Sequence, residues 1–90
     1  MTPADATALQ PLLPLLRQLR DLKALREVRP GVFQLRGGAF VQFQVDAGTV
    51  VAELKKTGGS GFDRYAVDTP TAQRKLLDDA KRRIGRTDED

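Results

Sequence analysis

The sequence predicts an α+β protein: a two-layer sandwich in which two helices cover one face of a sheet of four antiparallel strands. Three observations lead to this prediction. Leucines recur at helical spacing over the first third of the chain, apolar residues alternate with polar ones through the middle, and a second helical stripe follows near the end. The order helix, four strands, helix places both helices on the same sheet face and leaves the other face open to solvent.

The first helix is predicted from a run of leucines at three- and four-residue spacing, with Pro14 in its first turn and Pro30-Gly31 beyond its end. The chain of 90 residues is predicted to form a single domain, residues 1–90. Within it, residues 1–11 are expected to be a flexible lead-in and residues 86–90 a disordered tail.

Four strands are predicted where the hydrophobic period changes from helical spacing to two. They are Val32–Arg36, Ala39–Asp46, Thr49–Lys56 and Phe62–Val67. Turns at Gly37-Gly38 and Ala47-Gly48 are short enough to favour an antiparallel meander, and Thr57–Gly61 is expected to be a flexible connection. In the second strand, alternation predicts that Val41 and Phe43 face the helices and that Phe40 faces solvent.

The last helix is predicted to begin at Thr69-Pro70, with Thr69 as the N-cap and Pro70 at the first helical position. Its apolar stripe consists of Ala72, Leu76, Leu77, Ala80 and Ile84. Gly85 is expected to end it.

Several chemistries are disfavoured by composition alone. The chain contains no cysteine and no histidine, so it lacks thiolate nucleophiles, the commonest general base and the commonest ligands of transition metals. We therefore expect no catalytic residues, no cofactor and no metal site, and a protein that is not an enzyme. No run approaches the roughly 18 apolar residues that span a bilayer, and no signal peptide is recognised, so a cytoplasmic protein without membrane contact is expected.

The leucine-rich first helix supports the leading function hypothesis, a protein-interaction module. Eight of the seventeen residues from Leu9 to Leu25 are leucine, and they cover roughly two-thirds of the helix circumference, more than one sheet face requires. The same leucines would suit a wide core helix that the lead-in partly covers; a helix with a second apolar face would instead dock a partner or its own copy as a homodimer. Leu9, Leu13 and Leu16 are the predicted interface residues.

Nucleic-acid binding is the alternative hypothesis. The net charge is +3, but basic and acidic residues are spread along the whole chain, and Asp78 and Asp79 each precede an arginine by four positions. The predicted contacts combine the last helix with the outer sheet face, where Phe40 would offer a stacking surface. They are Phe40, Lys55, Lys75, Arg82 and Arg86.

Four segments resemble small bacterial domains similar in plan to the MmcQ/YjbR proteins, whose sandwich is also similar to frataxin. The segments are Arg29–Phe33, Gly38–Val41, Val50–Lys55 and Arg64–Pro70. The resemblance implies the same helix–sheet–helix sandwich and, by analogy of fold, a DNA-binding role. It transfers no catalytic residue. Frataxin-like iron binding would require an acidic first helix, whereas the charges of this helix are mixed.

Overall fold

The computed structural model describes residues 2–56 and 61–88, and it confirms the α+β class. The helices are α1 (Ala6–Leu9), α2 (Leu13–Arg20) and α3 (Pro70–Asp88), with a 3₁₀ turn at Gln10–Leu12. The strands are β1 (Thr2–Pro3), β2 (Leu25–Arg29), β3 (Val32–Leu35), β4 (Gly38–Asp46), β5 (Thr49–Lys55) and β6 (Phe62–Ala66). Most of the predicted Thr57–Gly61 loop lies outside the described residues.

The sheet is an antiparallel meander in the order β2-β3-β4-β5-β6, and β1 pairs with the far half of β4. Val41 lies opposite Leu54 and Phe43 opposite Ala52, so these side chains share one face. That face and the apolar sides of α2 and α3 form a single core, in which Leu19 and Leu76 are completely buried. The predicted two-layer arrangement follows from this shared core.

The first helix is shorter than predicted, because α2 ends at Arg20 and the following segment forms the additional strand β2. Helical spacing alone would extend the helix, but an extended Leu25–Arg29 pairs with β3 and still buries Leu25. The two elements are then joined by an ion pair, since the guanidinium of Arg20 donates to both carboxylate oxygens of Glu27 at 2.6 and 3.1 Å.

Both chain ends are more regular than predicted. In place of a flexible lead-in, the first residues form β1 and α1: the Ala4 N–H donates to the Phe43 carbonyl at 3.1 Å, and the Asp5 carboxylate caps α1. At the other end, α3 continues past Gly85 to Asp88, into the segment predicted as a tail. Residues 89 and 90 of that predicted tail lie outside the described residues.

The start of α3 is confirmed as predicted. The hydroxyl of Thr69 accepts from the Ala72 N–H at 3.1 Å, and the Thr69 carbonyl accepts from the Gln73 N–H at 3.0 Å. Pro70 occupies the first helical position, where its missing N–H leaves no helix hydrogen bond unmade.

A bulge in β4 corrects the predicted facing of Phe40. The register between β3 and β4 passes from Phe33 opposite Val41 to Gln34 opposite Ala39, which leaves Phe40 as the extra residue. Consecutive residues then point inward, and Phe40 and Val41 are 3% and 0% exposed. A strict two-residue period cannot predict an insertion of this kind.

Candidate binding surfaces

The leucines predicted to face a partner are mostly core residues. Leu9 and Leu16 are 2% and 1% exposed, whereas Leu13 is 38% exposed. The apolar surface of this segment is wide because its leucines join the core formed with the sheet, while α2 also contacts β2 and α3. The prediction of a spare leucine face at Leu9 and Leu16 is therefore wrong, and only Leu13 is available at the surface.

The residues predicted to contact nucleic acid do not form one patch. Phe40 is buried, and the register places Lys55 with Glu53 on the outer sheet face. Lys75 and Arg82 are exposed on α3, and of these two only Arg82 lies beside Arg83, whose guanidinium donates to the Lys55 carbonyl at 2.9 Å. The side chain of Arg86 lies outside what the structure describes.

The topology instead gathers basic residues from several elements at one end of the sandwich. Leu25, Leu35 and Gly38 share a row at this end, and β5 finishes and β6 begins beside them. The end of α3 lies there too, because Arg83 donates to the Lys55 carbonyl at 2.9 Å. The exposed basic residues at this end are Lys23, Arg26, Arg36, Lys55, Lys56 and Arg82, which we call the basic end.

The two ends of the sandwich differ in charge. The described acidic side chains near the basic end include Asp21, Asp63 and Asp79. Asp79 pairs with Arg82 at 3.3 Å, while Asp63 pairs with Arg83 at 2.9 Å and lies 3.8 Å from the Lys56 ammonium. At the opposite end, the turns Pro30-Gly31, Ala47-Gly48 and Asp68-Thr69 contain no lysine or arginine, and exposed Arg29 directly precedes the first of them. The fold therefore brings basic residues that are dispersed along the sequence to one end, where Arg82 and Arg83 are paired with carboxylates.

A polar cluster attaches α3 to the sheet beside the basic end. The Tyr65 hydroxyl donates to the Asp79 carboxylate at 2.6 Å and accepts from Arg83 at 3.2 Å. Arg83 also pairs with Asp63, and its guanidinium carbon lies 6.0 Å from the centre of the Tyr65 ring. Tyr65 therefore faces the helices. The cluster fixes the end of α3 against β5 and β6, and so holds Arg82 at the basic end.

Burial and the bond to Asp79 raise the pKa of Tyr65 to about 12, and that same bond holds the pKa of Asp79 below its ordinary value. We expect the native tyrosine to ionise near pH 12, against an unfolded value of about 10. The stabilisation linked to this shift is present below pH about 10 and is lost as the pH rises toward 12.

The chain contains one tyrosine and no tryptophan, so the near-ultraviolet absorbance of tyrosinate reports Tyr65 alone. The denatured chain is the reference for an unperturbed tyrosine, and Asp79→Asn should move the native midpoint down toward it. A native midpoint equal to that of the denatured chain would contradict the described contacts of Tyr65.

A shallow cleft of about 360 Å³ separates α2 from α3. Apolar carbons of Pro14, Leu15 and Leu77 line it, together with polar groups that include Gln18 and Arg74.

Among residues 2–56 and 61–88, no group of three or more Asp, Glu, His or Cys side chains is placed to hold a metal ion. Within the same residues, no helix is both long and apolar enough to cross a membrane.

Comparisons with family models, curated proteins and solved structures find no match to this chain. The resemblance to the MmcQ/YjbR proteins therefore stays a prediction, and the candidate surfaces rest on the geometry alone. Of these surfaces, the basic end combines six exposed basic side chains from several elements. Sequence reasoning missed Lys23, Arg26 and Arg36 in it. Each of these three residues lies beside a chain reversal on the same side of the meander, and this position could have identified them from the sequence.

Proposed function

We propose that this protein is a non-enzymatic nucleic-acid-binding module and that the basic end is its contact surface. The observation that supports the proposal is the convergence of Lys23, Arg26 and Lys55 with the end of α3, although these residues are distant in sequence. Clustered exposed lysine and arginine side chains neutralise phosphates and release condensed counterions, which supplies sequence-independent affinity.

The dimensions of the basic end suit a nucleic-acid backbone. From β2 to β6 there are four strand-to-strand spacings, which correspond to about 19 Å. One strand of a duplex presents a phosphate about every 3.4 Å along its axis, so about six phosphates fit within this width. The basic end is therefore wide enough to contact a short backbone segment.

Salt dependence tests this proposal. If about four basic residues contact phosphates, affinity should fall by roughly 100-fold for a fourfold rise in salt concentration. Fluorescence anisotropy with labelled duplex and single-stranded oligonucleotides, measured across a salt series, gives the slope directly. An absence of binding to either oligonucleotide at low salt would reject the proposed function.

Protein docking at Leu13 is the second candidate, and it retains the sequence-based hypothesis of an interaction module. Leu13 and Val28 are the exposed large hydrophobic residues among those described, at 38% and 42% exposure. A stable interface buries about 800 Å² on each partner, far more than one leucine provides. A partner at this site would therefore have to cover polar neighbours of Leu13 as well.

A further inference from the structure

We infer that Arg36 is the residue that enters the minor groove of duplex DNA, while the other members of the basic end contact phosphates. This inference rests on the proposed function and assigns it a particular ligand. It is supported by the position of Arg36 at the tip of a hairpin, by its backbone conformation and by the burial of the aromatic side chains.

Arg36 lies at the tip of the hairpin formed by β3 and β4 at the basic end. It forms the two-residue turn between β3 and β4 with Gly37, since Leu35 pairs with Gly38. The ladder between β4 and β5 stops at Val41, so the tip extends three residues beyond the last paired row on that side. The Lys55 ammonium lies 4.0 Å from the position that a Cβ on Gly38 would occupy. A second cation therefore lies beside the tip.

The backbone of Arg36 is unusual for its residue type. Its φ angle is +55°, and Gly37 follows at +84°. Positive φ at both central positions is typical of a type I′ turn, in which asparagine, aspartate or glycine is favoured at the first position. Ala47-Gly48 is a second turn of this kind, with φ angles of +53° and +79°. It lies at the opposite end of the sheet, so a substitution there can be compared with one at Arg36.

Duplex rather than single-stranded nucleic acid fits the described side chains. Proteins that bind single strands without sequence preference use exposed aromatic side chains as stacking surfaces. In this structure Phe33, Phe40 and Phe43 are buried, and Phe62 and Tyr65 are half-buried. Contact with a duplex requires only cations along the backbone and one side chain able to reach the bases.

The minor groove fits better than the major groove for a steric reason. The major groove admits a two-stranded ribbon, but β2 pairs with β3 as far as Leu35, so only the turn extends free of a neighbouring strand on both sides. The minor groove is about 6 Å wide and accepts a single arginine side chain. It narrows in A·T-rich tracts, where its negative potential attracts arginine most strongly.

The test combines Arg36→Asn with Ala47→Asn as the matched control. Each change places the residue favoured by a type I′ turn, so neither is expected to lower the thermal midpoint. Arg36→Asn should weaken binding to an A·T-rich duplex by about tenfold and binding to a G·C-rich duplex by less than about threefold. Ala47→Asn should leave both affinities unchanged. Arg36→Lys, which keeps the charge, should restore binding to the G·C-rich duplex only.

The outcomes separate this inference from the proposed function. Binding by the wild type with equal losses on the two duplexes, or full rescue by Arg36→Lys, would show Arg36 to be a phosphate contact and overturn the groove assignment. Unchanged binding by Arg36→Asn would overturn it as well. Preference of the wild type for single strands would also contradict it, while a wild type that binds no oligonucleotide would reject the proposed function itself.

Discussion

Replacing Leu9 with glutamate is expected to abolish folding, whereas the same change at Leu13 should leave the fold intact. Leu9 is 2% exposed, and one of its methyl carbons lies 2.9 Å from the position that a Cβ on Gly31 would occupy. A carboxylate there has no room and no partner, and burying it costs several kcal/mol, comparable to the total of about 5–15 kcal/mol that stabilises a small domain. Leu13 begins α2 at the surface, where an acidic residue interacts favourably with the helix dipole.

Circular dichroism with thermal and urea unfolding measures this contrast. A cooperative transition for Leu9→Glu within about 1 kcal/mol of the wild type would contradict the described packing of α1. Light scattering on the same samples tests the second candidate function. A wild type that dimerises and a Leu13→Glu variant that does not would establish docking at Leu13.

Reversing two charges of the basic end is expected to have the largest effect on binding. Lys23→Glu with Lys55→Glu removes two phosphate contacts and introduces repulsion, so affinity for a duplex should fall by at least about 100-fold at low salt. These side chains are exposed, and the stability of the fold should change little.

The matched control is Arg74→Glu with Lys75→Glu. Either pair of substitutions changes the formal net charge from +3 to −1, because each replacement of a basic residue by glutamate subtracts two charges. Lys75 precedes Arg83 by eight residues, about 12 Å along α3 from the basic end. If binding depends only on net charge, both variants will lose affinity equally, and that result would refute the assignment of the basic end.

The sequence predicted those parts of the fold that depend on local patterns. The meander followed from alternation and short turns, and the start of α3 followed from Thr69-Pro70. Strand β2 was missed because Leu22 and Leu25 satisfy a helical period and a strand equally well. Pairing with β3 selects the strand over the helix, and this pairing cannot be predicted from the residues of β2 alone.

The candidate surfaces were less predictable because they depend on register. One additional residue in β4 moves Phe40 from the solvent face into the core. Lys23 and Lys55 are separated by 32 positions, and only the order of the strands brings them to the same end. Counting charges in successive segments of the chain cannot show such a convergence. Assigning each strand end to one side of the predicted meander can show it.

The pairing of β1 with β4 has a consequence for the order of folding. Each hairpin of the meander joins segments that are neighbours in the sequence. Thr2 instead pairs with Val45, which lies near the middle of the chain. Closing so long a loop costs more entropy than closing a hairpin, and its contacts form only after the far half of β4 is in place. Strand β1, although it precedes the other elements in the sequence, is therefore among the last to reach its native position, after the strands that receive it have paired.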